Sequence, residues 1–270
     1  MTTRMTAQRL SRLIAQGDVP AVRDALDAQP RLVSTPVERN GQGGWTPLHL
    51  AVAAGHAPVV SQLVAAGADV SARTEGGRTP LHVALQHAPD LVDLLRSLGA
   101  PVDAATAAFL GDTDRLAGEL DGGARLTDLT ADVDLLTWAA YGGSPPAVRL
   151  LLDRGADPDS GALHAAAWAC RPEVVTILLA AGAQVDRRDT DTGRTPLHAA
   201  VAAGPERGDA VAVVRLLLAA GADVNATTSD GASPLDISRV SAARRRAEAT
   251  GQTTGHDELT ELLVTAGATN

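Results

Sequence analysis

A four-residue motif that recurs at a fixed interval constrains this chain more than any other feature. Thr46-Pro47-Leu48-His49 returns 33 residues later at 79–82 and again at 195–198, with weaker copies at 163–164 and 233–235. A second marker, Gly-Ala followed in most copies by Asp and Val, closes each segment. It begins at Gly67, Gly99, Gly123, Gly155, Gly182, Gly221 and Gly267. Such a chain is built from one small unit that stacks on copies of itself, without a single globular core.

The residues within each segment predict helices. Pro47 and Pro80 suit a first helical turn, where the missing N–H costs nothing, and the preceding Thr46 and Thr79 suit N-caps. Between the markers, apolar residues fall at i, i+3 and i+4, the spacing of one helix face. A glycine such as Gly67 then supplies the left-handed residue that ends a helix.

These two markers resemble those of the ankyrin repeat, whose period is 33 and whose core reads Thr-Pro-Leu-His-x-Ala. The resemblance implies an all-α solenoid of about eight stacked helix-turn-helix units, each followed by a short β-hairpin finger. We expect one domain over residues 1–270. Its parts are an N-terminal cap at 6–40, internal repeats at 41–227 and a C-terminal capping repeat at 228–270 with an inserted loop.

Composition excludes several classes of protein. All 23 basic residues are Arg, and without Lys the chain cannot supply a lysine amine to a P-loop, pyridoxal or Schiff-base site. The net charge of −9 argues against nucleic-acid binding, and the single Cys170 permits no internal disulfide. No apolar run is long enough for a signal peptide or a membrane span, so we expect a cytoplasmic protein. We also expect it to be a monomer. Arg without Lys, together with abundant Ala and Gly, is typical of a GC-rich bacterial genome.

The repeats also depart from the pattern. The segments after Gly99 and Gly155 are too short for a finger, whereas residues 124–134 are long enough to project. A finger between two gaps would leave a pocket. Insertions at 205–210 and 239–257, the second containing three adjacent arginines, are either solvated extensions or a docking place for an acidic partner.

The few aromatic residues are not scattered. When the repeats are aligned, the same position in three successive first helices holds Phe109, Tyr141 and Trp168, five residues after the Leu-type core position. Other repeats have Ala53, Gln86 and Ala202 there. The resemblance implies that this position faces the concave surface. Trp138 lies one turn before Tyr141, and Trp45 lies at a finger base. These rings either fill space in the core or anchor a partner. We predict partner contacts at Trp45, Gln86, Phe109, Trp138, Tyr141 and Trp168.

The polar residues give little sign of catalysis. The resemblance implies that His49, His82, His164 and His198 bond backbone groups of the neighbouring unit. His56, His87 and His256 lack ligand spacing, so no metal site is predicted, and no cofactor motif occurs. A dyad of Cys170 with His164 remains an alternative. A second alternative is a carboxylate on or beside the long finger, at Asp128, Asp132 or Asp134. If apolar surroundings raised its pKa, it could act as a general acid or base.

The sequence therefore favours a non-catalytic interaction protein that binds another protein or a peptide in its concave groove. The acidic net charge favours a basic partner. The alternative is a small-molecule binder or atypical enzyme with a pocket around residues 109–168, using Tyr141, Trp168 and Asp132 or Asp134.

Overall fold

The computed structural model describes residues 6–39, 41–127, 133–204, 209–248 and 255–269. These residues divide into two compact units, the first ending at Thr106 and the second beginning at Ala107. Within the described ranges the chain forms sixteen α-helices and one two-stranded hairpin, so the predicted all-α repeat architecture is confirmed. The predicted division into caps and internal repeats stays a prediction.

The first unit contains six complete helices and the hairpin. In chain order they are α1 (Ala7–Gln16), α2 (Val19–Ala28), β1 (Val37–Arg39), β2 (Gln42–Trp45), α3 (Pro47–Ala53), α4 (Ala57–Ala65), α5 (Pro80–His87) and α6 (Val92–Ser97). Helix α7 (Ala104–Leu110) begins in the first unit and ends in the second. In this unit α1 packs on α3, and α3 packs on α5. Among the second helices of this unit, α2 packs on α4.

The second unit continues the same alternation. Its helices are α8 (Thr113–Asp121), α9 (Leu135–Gly142), α10 (Pro145–Asp153), α11 (Ala162–Trp168), α12 (Pro172–Ala180), α13 (Pro196–Ala203), α14 (Ala210–Ala219), α15 (Pro234–Glu248) and α16 (Gly255–Thr265). The odd-numbered helices α9, α11, α13 and α15 pack successively on one another, and so do the even-numbered helices α8 to α16. Within each unit, neighbouring repeats thus pack on one another, as a stacked array requires.

The helix boundaries follow from the motif as predicted. Thr46 and Thr79 are N-caps whose hydroxyl groups accept the N–H of His49 and His82, and a proline follows each cap. At the other end, Gly67 has a φ of 93°, a left-handed conformation that an L residue adopts only at a cost. Local sequence therefore decides where each helix starts and stops.

The connections between repeats are of two kinds: fingers, which are a hairpin or a turn, and short connections without a finger. The first finger is the hairpin β1–β2, an antiparallel pair in which Val37 lies opposite Trp45. Further along the chain, the fingers close as single turns, with the N–H of Thr74 donating to the carbonyl of Arg78 at 2.9 Å. Only six residues separate α6 from α7 and eight separate α10 from α11, which confirms that these two connections are short. The predicted long finger lies partly at 128–132, outside the described residues.

Candidate functional site

The aromatic row, defined as Phe109, Tyr141 and Trp168, lies on successive first helices of the second unit. Phe109 is on α7, Tyr141 on α9 and Trp168 on α11, and all three side chains are partly exposed. The Phe109 and Tyr141 rings are 5.7 Å apart between centroids, close enough to form one apolar contact surface. The alignment of these rings in the sequence therefore corresponds to neighbouring positions in the fold.

A close backbone approach holds the first two rings together. Gly142 on α9 lies against the Phe109 carbonyl, and a Cβ placed at residue 142 would be 1.9 Å from that oxygen. Only glycine permits the two helices to come this close. The ring of Trp138 packs behind them, with its centroid 6.1 Å from that of Phe109.

The remaining predicted contact residues differ in exposure. Trp138 is 1% exposed and Trp45 is 5% exposed, so both rings are packed inside the fold. For Trp138 this burial agrees with the core interpretation that the sequence left open. Gln86 is partly exposed on α5, in the first unit. A buried ring offers a partner almost no surface. Of the predicted contact residues in the second unit, the three of the aromatic row therefore form the candidate contact surface.

Sequence reasoning missed one exposed apolar residue in the register of the aromatic row. Val240 on α15 is 68% exposed, and it stands five residues after Leu235, the register position of the aromatic row. It lines a cavity of about 290 Å³ together with Ile237, Asp230 and Asp236. Extending the register to the degenerate last repeat would have found it.

Three of the four repeat histidines donate to a backbone carbonyl of the next repeat. Nε2 of His49, His164 and His198 lies 3.0, 2.9 and 3.2 Å from a carbonyl oxygen of Arg78, Arg194 and Ala232 respectively. In His49 and His198 the other ring nitrogen accepts the N–H of the N-cap threonine, at 3.2 and 3.1 Å. Burial lowers the pKa of all three rings, which favours the neutral form. These contacts use Nε2 of all three rings and Nδ1 of His49 and His198, and they confirm the predicted structural role.

His82 differs, and the expectation for it is wrong. Its Nε2 donates to the Asp103 carboxylate at 3.0 Å, because the short connection after α6 has no finger to supply a carbonyl. Asp103 also caps α7 by accepting the N–H of Thr106 at 3.0 Å and its hydroxyl at 2.9 Å. Burial raises the pKa of the Asp103 carboxyl, but the hydrogen bonds from His82 and Thr106 outweigh burial and hold the pKa well below its ordinary value.

The groups considered for catalysis have other partners or lie outside the described residues. Asp134 caps α9 by accepting the N–H of Thr137 at 2.7 Å, whereas Asp128 and Asp132 are not described. His164 uses Nε2 for its carbonyl contact, and Cys170 is buried with a left-handed φ of 53°. Among the described residues, no cluster of three or more His, Cys, Asp or Glu side chains is placed to hold a metal ion.

In the ranges that the structure describes, every helix is too short or too polar to traverse a bilayer.

Comparison with known proteins supports the repeat architecture. The family described as ankyrin repeats in three copies matches residues 10–106, 116–189 and 136–228. Protein PhlB of Serratia liquefaciens is 46% identical over 80 residues, covering 27% of this chain and 35% of that protein. The human neurogenic locus notch homolog protein 4 is 41% identical over 104 residues, and the Caenorhabditis elegans E3 ubiquitin-protein ligase hecd-1 is 34% identical over 136 residues.

These similarities cover only part of each protein. The matches cover 36% and 40% of this chain, but only 5% of each of the two animal proteins, so the chain spans a small part of the curated relatives that it matches. Ankyrin repeats are generally modules of protein–protein interaction.

Proposed function

Because the chain belongs to the ankyrin repeat family, we propose that it is a non-catalytic interaction module that binds another protein or an extended peptide along the aromatic row. The observation that carries the proposal is the placement of Phe109, Tyr141 and Trp168 on three successive helices with part of each ring exposed. Aromatic anchors on a rigid surface are typical of binding hot spots.

The anchors are preorganised for binding. Gly142 holds the Phe109 and Tyr141 rings together, and Trp138 packs behind Phe109, so these two rings lose little freedom when a partner arrives. If a partner covers a further ~40 Å² of each ring, the three rings contribute about 3 kcal/mol in total at ~25 cal/mol per Å². That corresponds to about a hundredfold in affinity.

Charge favours a basic partner. The net charge of the chain is −9, and the cavity beside the exposed Val240 is lined by two carboxylates, Asp230 and Asp236, against one guanidinium, Arg194. Hydrogen bonds from Thr228 and Ser233 lower the pKa of these two carboxyls, which keeps them ionised at neutral pH. A peptide with apolar anchors and basic flanks would match both the rings and the charges.

A photo-crosslinking residue at position 168 tests the proposal, with the same residue at Val264 as the control. Val264 is 50% exposed on α16, outside the register of the aromatic row. The segment captured at position 168 is then synthesised, and its affinity is measured by isothermal titration calorimetry. We expect Tyr141→Ala combined with Trp168→Ala to weaken binding at least about tenfold, whereas Val264→Ala leaves the affinity unchanged.

Equal affinity for the double variant and the wild type would reject the aromatic row as the binding surface. Saturable binding of small molecules alone at position 168, with turnover, would instead favour the alternative enzyme function. Circular dichroism melting of each variant shows that a loss of binding is not a loss of folding.

A further inference from the structure

The first unit contains a cavity that the proposed function does not use. Its volume is about 560 Å³, within the range of sites that hold small organic ligands. Helix α1 contributes Gln8 and Arg12, helix α3 contributes Leu50, and strand β1 contributes Glu38 and Arg39.

Two arginines of this cavity lack the ion pairs that arginines form elsewhere in the chain. Arg73, Arg96, Arg115, Arg149, Arg154 and Arg215 each lie within 4 Å of a carboxylate. Within the described residues, Arg12 and Arg39 have no such carboxylate. Arg12 and Arg39 line the cavity together with one carboxylate, that of Glu38, so the cavity has a net positive charge in a chain whose own net charge is −9.

Arg39 is held in place by its surroundings. Its guanidinium carbon lies 4.9 Å from the centroid of the Trp45 ring, which is a cation–π contact. Trp45 is 5% exposed and packs against His49 at a centroid distance of 5.8 Å, so the platform beneath Arg39 is rigid. Burial lowers the pKa of His87 on α5, and the charges of Arg78 and Arg39 lower it further, so the electrostatic field of Arg39 reaches that helix.

We propose that this cavity binds a small organic anion whose carboxylate or phosphate group contacts Arg12 and Arg39. Guanidinium groups match the geometry of both anions and donate several charge-assisted hydrogen bonds to them. The apolar body of the ligand packs against Ala15, Leu50 and Ala54. Glu38 lines the same cavity and repels further negative groups, so the site takes a ligand with one anionic group and not a polyanion.

Three probes with the same aromatic body test the charge requirement: phenyl phosphate, benzoate and benzylammonium. Each is titrated into the full chain at low ionic strength, and binding is followed by calorimetry and by the NMR signal of the Trp45 indole N–H. We expect saturable binding of phenyl phosphate, benzoate or both, with a shift of the Trp45 signal because Arg39 lies over its ring. Which of these two anions binds more tightly identifies the source class as a phosphate or a carboxylate.

Arg12→Gln and Arg39→Gln should each weaken binding about tenfold or more, the usual effect of losing a charge-assisted hydrogen bond. Arg23→Gln is the matched control, because Arg23 is exposed on α2 and does not line the cavity. The double variant Tyr141→Ala with Trp168→Ala should bind the probes with the same affinity as the wild type. The proposal of an anion site and the proposed function are therefore tested independently.

Three results would overturn the inference. They are the absence of saturable binding of either anion, equal binding of benzylammonium, or unchanged affinity in both cavity variants. Arg12 is exposed and its substitution leaves the Trp45 contact intact, so the Arg12→Gln result is interpretable even where Arg39→Gln alters the hairpin.

Discussion

Replacement of Asp103 by alanine tests how the chain compensates for a missing finger. The carboxylate accepts hydrogen bonds from His82 at 3.0 Å and from the N–H of Thr106 at 3.0 Å. The His82 side chain is fully buried. In the alanine variant the Nε2–H of His82 loses this acceptor, and α7 loses its N-cap.

The size of the effect follows from these two losses. Removing the acceptor of a buried donor costs about 1–3 kcal/mol, and a lost N-cap costs about 1 kcal/mol. The ion pair of Asp103 with the half-exposed Arg73, at 3.3 Å, adds little. We therefore expect Asp103→Ala to lower the free energy of unfolding by about 2–4 kcal/mol. Asp103→Asn keeps an oxygen acceptor and a good N-cap residue, so its cost should be smaller, about 1 kcal/mol.

Equilibrium urea unfolding followed by circular dichroism measures these differences, with Asp18→Ala as the control. Asp18 caps α2 in the same unit by accepting the N–H of Ala21 at 3.0 Å. Its replacement removes a cap without removing the acceptor of a buried histidine. If Asp103→Ala costs no more than Asp18→Ala, the carboxylate does not replace the missing finger and the reasoning is refuted.

The pH dependence gives a second test of the same contact. The folded pKa of Asp103 lies below its unfolded value, so its carboxylate stabilises the fold above about pH 4 and loses this effect as the pH falls toward the folded pKa. The stability difference between wild type and Asp103→Asn should therefore shrink below about pH 4. A difference that stays constant across this range would contradict the assignment.

Further predictions concern packing and backbone conformation, and urea unfolding measures each. Gly142→Ala should destabilise the chain by about 1–3 kcal/mol, because its Cβ would overlap the Phe109 carbonyl. The control Gly118→Ala, where a Cβ meets nothing within 4 Å, should be neutral or stabilising; equal effects would refute the close approach. Trp138→Ala should cost about 3–5 kcal/mol and Trp168→Ala clearly less, since Trp138 is 1% exposed and Trp168 is partly exposed; the reverse order would contradict this. Cys170→Gly should be more stable than Cys170→Ala by about 1 kcal/mol, because glycine adopts the left-handed φ of 53° without strain, and no difference would argue against strain there.

The sequence by itself determined the repeat architecture and the ends of the helices. Thr46 caps α3, Pro47 opens it and Gly67 closes the following helix, because capping and a positive φ depend on a few adjacent residues. The alignment of Phe109, Tyr141 and Trp168 on neighbouring helices could be predicted for the same reason, since a fixed repeat length puts equivalent residues at equivalent places.

Only the tertiary structure decided which contacts those residues make. The motif assigned His82 a backbone carbonyl, but the short connection brings the Asp103 carboxylate to that place instead. Sequence register put Trp138 and Trp168 at different positions of the repeat but left the burial of each ring open, and it could not place Arg12 and Arg39 beside one cavity. Local signals fix the conformation of a segment, whereas burial and pairing depend on residues that are distant in the sequence and meet only when the repeats stack.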